Sequence, residues 1–269
     1  MKNHIILFLL LFFTQVSLAQ ESFFKGNNNY VSLVTVMPSE ISMTGLVMNL
    51  DAGNPSSYSG SGSTWTDLTG KGNNGTISAG ITYNNANGGY FQFINSKGIV
   101  LPAASSDFNF GTGDFTIEFW ANPNHNDHRL ISINTKPNDL SSAIFVFTGS
   151  SQNGNLGEIN VGGAIGLSTT GFTWGRWHQV VISRISTNFS IYIDGVFKAN
   201  TSSSASLRSN IIGGNAATTT TNSIGSFSAN STYLSYTGRM SIVRVYKNVG
   251  LTSSQVSGNF NAIKSRFGL

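Results

Sequence analysis

The stretch Phe115-Thr116-Ile117-Glu118-Phe119-Trp120 decides the fold of this 269-residue chain. Apolar and polar side chains alternate along most of it, which is typical of a β-strand with one face toward a core. The alternation places three side chains on the core face, namely Phe115, Ile117 and Phe119. It places three on the opposite face, namely Thr116, Glu118 and Trp120.

Similar runs rich in Val, Ile, Phe and Thr recur along the chain, separated by Gly, Asn and Ser clusters. Asp194-Gly195 between two such runs predicts a type I′ hairpin, because both turn positions require positive φ. Evenly spaced strands with few helices predict an all-β fold, a jelly-roll β-sandwich of two antiparallel sheets with about six or seven strands each. The clearest predicted strands are Leu46–Leu50, Tyr90–Ile94, Phe115–Trp120, Leu130–Ile133, Ala143–Phe147, His178–Arg184, Phe189–Asp194 and Met240–Tyr246.

One helix is predicted, at the C-terminus. Thr252 and Gln255 have the spacing of a capping box, and apolar residues recur at helical intervals from Val256 to Phe267. We therefore predict a short helix over 252–267 that docks on the sandwich.

Residues 1–19 have the pattern of a secretory signal peptide. Lys2 precedes an apolar run from Ile5 to Phe13, and Ser17 and Ala19 are small residues of the kind that signal peptidase accepts. The run is about half of a membrane span, so we expect cleavage and secretion rather than an uncleaved anchor. Residues 20–43 are predicted to be an N-terminal extension with an edge-strand pattern, and the domain itself is predicted to occupy 44–269.

Composition excludes several classes of protein. With 39% hydrophobic and 10% charged residues, the chain is not disordered. The net charge of +4 is spread over few charged residues without a dense basic run, so nucleic acid is not an expected partner. The chain has no cysteine, which rules out disulfides, thiolate metal sites, a cysteine nucleophile and a lipoprotein anchor.

Several motifs resemble laminin G-like domains of the concanavalin A-like lectin/glucanase superfamily. The similarity runs in order over about residues 44–269, and it implies a concanavalin A-like jelly roll. Domains of this kind serve as lectins, adhesion modules, appendages of enzymes and surface proteins, so the fold alone does not identify the activity. The stretches that carry the resemblance are Leu50–Tyr58, Gly62–Gly70, Asn73–Thr76, Phe115–Trp120, Trp177–Gly195 and Tyr236–Gly268.

The same superfamily contains glycoside hydrolases, which resemble one another in a strand motif Glu-x-Asp-x-(x)-Glu. The corresponding residues here are Asp114, Thr116 and Glu118, so the middle acid is missing. The two remaining acids are ~13 Å apart along a strand at ~3.3 Å per residue. Glycosidase carboxyl pairs lie about 5 to 9.5 Å apart, so we expect no catalysis by this pair.

The resemblance also implies a calcium site, because related domains bind this ion through a few acids and loop carbonyls. Asp51, Asn54 and Asp67 are the candidate ligands, since a hard cation prefers such oxygens. The alternative is structural, with Asp51 capping a strand and Asp67 forming an Asx-turn before Gly70. No other cofactor is required.

Two aromatic residues are candidate sugar platforms. Tyr58 and Trp174 lie in Gly-, Ser- and Thr-rich stretches and are expected to be exposed. The other three tryptophans, Trp65, Trp120 and Trp177, are expected in the core.

Together these patterns predict a secreted, non-catalytic recognition module that binds carbohydrate or mediates adhesion. Its partners would be an extracellular glycan or a cell-surface protein, with no membrane insertion after leader removal. One alternative is a structural, self-assembling surface or virion protein, and a second is a glycoside hydrolase of the same superfamily.

Overall fold

The computed structural model describes residues 40–94, 97–103, 105–124, 129–135, 144–148, 158–163, 165–207, 221–225 and 236–269. The predicted leader and nearly all of the predicted extension, residues 1–39, lie outside these ranges. The described residues belong to one compact unit, Ser39–Leu269. None of the helices among them is both long and apolar enough to cross a membrane.

Sixteen strands and one α-helix lie in the described ranges. All eight strands predicted from alternation are present, with ends that differ by a few residues. The strands are β1 (Leu46–Asp51), β2 (Thr64–Trp65), β3 (Gly75–Ile77), β4 (Thr82–Asn84), β5 (Tyr90–Phe93), β6 (Ile99–Leu101), β7 (Phe115–Pro123), β8 (Arg129–Thr135), β9 (Ile144–Thr148), β10 (Glu158–Gly163), β11 (Leu167–Thr170), β12 (His178–Ile185), β13 (Asn188–Ile193), β14 (Val196–Ser202), β15 (Thr221–Ile224) and β16 (Gly238–Lys247).

The strands form two antiparallel sheets, which confirms the predicted β-sandwich. One sheet, here called the helix-covered sheet, has the order β14-β13-β12-β7-β16-β5-β4, and β1 also pairs with β16. The second sheet has the order β11-β10-β9-β8-β15-β6-β3-β2. Each sheet has eight strands rather than the predicted six or seven, because strands as short as β2 and β4 are too brief to show alternation.

The core lies between the two sheets. Phe115, Ile117 and Phe119 of β7 all belong to it, as the alternation predicted. Trp120 belongs to a different apolar cluster, with Trp177 and Phe267, on the outer face of the helix-covered sheet. The outer face of this sheet is therefore buried as well, beneath the C-terminal segment.

The C-terminal segment consists of α1 (Ser253–Ile263) followed by a 3-10 turn, Lys264–Phe267. The predicted capping box is present, since Thr252 accepts from the Gln255 backbone and Gln255 accepts from the Thr252 backbone. Phe267 stacks on Trp120 with 4.6 Å between ring centroids. The predicted docking of this helix on the sandwich is confirmed.

The predicted hairpin is also present. Asp194 and Gly195 have φ values of 52° and 74°, as a type I′ turn requires, and they join β13 to β14. β14 is the outermost strand of its sheet, and its Val196 and Phe197 are exposed. The hairpin tip lies against α1, because a Cβ at Gly195 would approach Phe260 to 3.0 Å.

Candidate functional site

Glu118, the acid on the strand where related hydrolases carry their catalytic pair, is completely buried. Its Oε1 accepts hydrogen bonds from Gln179 at 2.9 Å and from Arg244 at 3.1 Å. Its Oε2 accepts one from Asn259 of α1 at 2.7 Å. The carboxylate therefore joins three strands to the helix that covers them, and both of its oxygens accept hydrogen bonds from protein donors.

A hydrolytic role for Glu118 has no support in this arrangement. Burial, and then the nearby Glu118 charge, raise the pKa of Tyr246, whose hydroxyl also accepts a hydrogen bond from Asn259. Asp114, the other acid of the motif, precedes β7 and accepts a hydrogen bond from the Ser186 backbone at 2.7 Å. The two acids take part in separate contacts rather than facing a common substrate.

Asp67, a predicted calcium ligand, is buried and accepts four hydrogen bonds. Oδ1 accepts from the backbone of Asn49 at 2.9 Å and of Thr69 at 3.0 Å. Oδ2 accepts from the Thr69 hydroxyl at 2.7 Å and from the Asn73 backbone at 3.2 Å. The predicted Asx-turn is present, and the lone pairs that a cation would need already have donors.

The other two predicted calcium ligands are each engaged through one oxygen. Asp51 Oδ1 accepts from Gly53 N at 2.8 Å and pairs with Arg266 at 2.7 Å. Asn54 Oδ1 accepts from Ser56 N at 2.9 Å. Among the described residues, no three His, Cys, Asp or Glu side chains are grouped as a metal site would require. These contacts do not support the calcium site expected from the sequence.

We therefore expect calcium to leave the stability of the domain unchanged. An ion that binds only the native state would raise the melting temperature, and the rise would grow as its concentration exceeds the dissociation constant. The measurement is a thermal melt in millimolar calcium and again after chelation with EGTA, with magnesium as the control ion. A calcium-specific rise of several degrees, lost in Asp67→Asn, would restore the predicted site.

Tyr58 is not the exposed platform that its surroundings in the sequence suggested. It is only 8% exposed, and its ring lies 4.8 Å from that of Phe91 and 5.0 Å from that of Tyr83. Its hydroxyl donates to the Gly62 carbonyl at 3.0 Å. Burial, with a smaller effect of Tyr83, raises the pKa of this hydroxyl. The expected exposure is therefore wrong, because the ring fills a gap in the core.

Trp174 is 36% exposed, as predicted, and lies in the loop between β11 and β12. The loop is held at two points. Gly175 donates its backbone N–H to the Pro123 carbonyl at the end of β7, at 2.9 Å. On the other side of Trp174, the Thr173 backbone N–H donates to Nε2 of the buried His178 at 3.1 Å. The platform is thus anchored to two strands of the helix-covered sheet.

His178 is itself fixed. Its Nδ1 lies 2.8 Å from Asp194 Oδ2, and its ring packs against Phe172. Because the Thr173 N–H can only donate, Nε2 is the acceptor and a neutral imidazole carries its proton on Nδ1, toward Asp194. The hydroxyl of Thr173, 2.9 Å from Nε2, completes the contact. This arrangement orients the Trp174 loop and keeps the Asp194 carboxylate turned inward.

Beside this loop, four side chains form a row across the helix-covered sheet. In the strand register, Arg239 of β16 lies opposite Gln92 of β5 on one side and opposite Asn122 of β7 on the other. His178 pairs with Ala121, which places Trp177 next to Asn122. Cross-strand neighbours project to the same face of a sheet, so the row lies on the outer face, one step beyond Trp120. We call Gln92, Asn122, Trp174, Trp177 and Arg239 the rim patch.

Two buried polar atoms in the rim patch have no hydrogen-bond partner among the residues that the structure describes. They are Oδ1 of Asn122, an acceptor, and Nε1 of Trp177, a donor. Their residues are only 4% and 5% exposed. Buried polar groups normally have partners, so an unpartnered acceptor and donor on neighbouring residues indicate a place for an enclosed water that could in turn meet a hydroxyl of a bound molecule.

Sequence reasoning found only Trp174 of this patch. Gln92, Asn122 and Arg239 are far apart in the chain and come together only through strand register. Trp177 was assigned to the core, and it is buried, but on the outer face beneath Phe267. The one weak signal in the sequence is that β5, β7 and β16 each carry a polar residue near one end.

Comparison with known proteins gives the family and the fold. A family model described as concanavalin A-like lectin/glucanases superfamily matches residues 95–257. Domain 4 of AbnA, a GH43 extracellular arabinanase from Geobacillus stearothermophilus in complex with arabinotriose, is similar at 19% identity and a TM-score of 0.57, over 79% of this chain and 96% of that one. No curated protein matches significantly.

A sialidase from Trypanosoma rangeli, in complex with the inhibitor DANA, is similar at 15% identity and a TM-score of 0.56. The match covers 82% of this chain but only 33% of the sialidase. At these identities, both solved structures establish the likeness of fold alone.

Proposed function

Because the chain belongs to the concanavalin A-like lectin/glucanase superfamily, we propose that it is a secreted, non-catalytic module that binds carbohydrate through the rim patch. The observation that carries the proposal is the exposed Trp174 beside a row of polar side chains. A sugar ring presents a C–H face that stacks on an aromatic ring, while its hydroxyls need placed donors and acceptors. The rim patch offers both in one place.

Two further points support binding without cleavage. Glu118, the one acid on the outer face of β7, is completely buried and accepts hydrogen bonds from Gln179, Arg244 and Asn259. In addition, an arabinanase domain of the same fold was solved in complex with arabinotriose, which makes a saccharide a reasonable class of ligand here. Secretion is proposed on the leader pattern of residues 1–19.

We expect Trp174→Ala to weaken carbohydrate binding roughly 30-fold, since truncating an aromatic anchor typically costs about 2 kcal/mol or more. The matched control is Phe197→Ala, because Phe197 is 48% exposed but lies on β14, outside the rim patch. A glycan array selects the saccharide, and isothermal titration then compares the two variants with the wild type.

The proposal also predicts that no reducing ends appear on incubation with the selected polysaccharide. Equal affinity of Trp174→Ala and the wild type would contradict the position of the site. Release of reducing ends that disappears in Glu118→Gln would contradict the non-catalytic role.

A further inference from the structure

Arg239 is the cationic member of the rim patch, and the fold holds it from one side. Its guanidinium carbon lies 5.3 Å from the centre of the Tyr90 ring. Its Nε donates to Gln92 Oε1 at 3.4 Å. Gln92 is fixed in turn, since its Nε2 donates to the Gly238 carbonyl at 3.0 Å.

The opposite edge of the guanidinium is open. Neither terminal nitrogen of Arg239 donates a hydrogen bond to any residue that the structure describes. By contrast, Arg244 uses a terminal nitrogen to pair with Glu118, and Arg184 donates to three carbonyls through Nε and one terminal nitrogen. Arg239 is half-buried, so holding a charge there without an anionic partner is unfavourable.

No described carboxylate competes for this charge. Asp194, the acid of the neighbouring hairpin, directs Oδ2 to His178 and Oδ1 to the Gln179 backbone at 3.0 Å. Arg176, between Trp174 and Trp177, is exposed and adds a second positive charge to the loop. Among the described residues, the rim patch and its loop thus carry two positive charges, and the patch also holds an unpartnered buried acceptor and donor, Asn122 Oδ1 and Trp177 Nε1.

We propose that the carbohydrate bound at the rim patch is acidic, and that its carboxylate pairs with the terminal nitrogens of Arg239. This inference rests on the proposed function. A guanidinium edge presents two parallel N–H groups that match the two oxygens of a carboxylate, so the pair is both charged and directional. Ring hydroxyls would hydrogen-bond the unpartnered atoms of Asn122 and Trp177 through an enclosed water, and Trp174 would stack on the neighbouring sugar.

The test compares matched polysaccharides by affinity electrophoresis and titration. Polygalacturonate and its methyl ester have the same rings, but the ester has no charge; chondroitin and chondroitin sulfate differ only by the sulfate. We expect at least about tenfold tighter binding of a carboxylate polymer than of its ester, falling as salt screens the pair. Arg239→Gln should abolish this preference, and Lys71→Gln, an exposed cation elsewhere, should preserve it.

The outcomes separate the two proposals. If the wild type binds ester and acid equally, or if Arg239→Gln keeps the preference, the proposal of an acidic ligand is contradicted. Loss of binding in Trp174→Ala would still support the position of the site. If only the sulfated polymer binds, the partner of Arg239 is a sulfate and the carboxylate is wrong. If the binding of both acidic and neutral polymers is unaffected by Trp174→Ala, the proposed function itself is contradicted.

Discussion

Replacing Glu118 with alanine should lower the free energy of unfolding by about 3–5 kcal/mol, because it leaves the charge of Arg244 buried without a partner. Gln179 and Asn259 also lose the hydrogen bonds that they donate to Glu118, and Asn259 is a residue through which α1 bonds to the sheet. Glu118→Gln keeps the shape and part of the bonding, so its loss should be smaller.

Urea unfolding followed by circular dichroism measures these losses. If Glu118→Ala does not fold, Glu118→Gln supplies the measurable variant. The control is the double variant Glu118→Met with Arg244→Met, which removes both charges together. Replacing a buried ion pair by apolar residues is often neutral, so the double variant should be more stable than Glu118→Ala. A Glu118→Ala protein as stable as the wild type would contradict a structural role for this carboxylate.

Trp120→Ala should cost about 3–5 kcal/mol, the usual loss for truncating a large buried aromatic residue. Trp120 is completely buried although it faces away from the core between the sheets, because Phe260 and Phe267 stack on it. The truncation leaves a cavity beneath the C-terminal segment and removes its largest contact. Trp174→Ala should cost clearly less, because Trp174 is 36% exposed.

Unfolding of the two tryptophan variants is compared by circular dichroism, since each substitution alters the fluorescence signal. Phe197→Ala controls for the loss of an aromatic residue at the surface. If Trp120→Ala were as stable as Trp174→Ala, the C-terminal segment would not be packed on the sheet as described.

Local patterns predicted the local structure well. The alternation of β7, the Asp194-Gly195 turn and the Thr252–Gln255 capping box each depend on residues within a few positions of one another, and all three are present. The same alternation assigned Trp120 correctly to the outer face. It could not indicate that this face is buried, because the covering helix begins more than a hundred residues later.

Site residues were predictable only where local context decides their environment. Trp174 is exposed because its loop passes over the end of the sheet, and a Gly- and Thr-rich surrounding indicated this. Tyr58 has a similar surrounding, yet Phe91 and Tyr83 enclose it from distant strands. Asp51, a candidate metal ligand, pairs in the fold with Arg266, which lies 215 positions along the chain. Long-range partners of this kind leave no mark in the neighbouring sequence.

The most direct test of the rim patch follows the indole N–H signals of the chain's four tryptophans by nuclear magnetic resonance during titration with the saccharide selected on the array. Trp174 and Trp177 should shift, with Trp177 Nε1 gaining a hydrogen bond, while Trp65 and Trp120 stay unchanged. Shifts confined to Trp65 or Trp120, or saturable binding with no indole shift at all, would contradict the account.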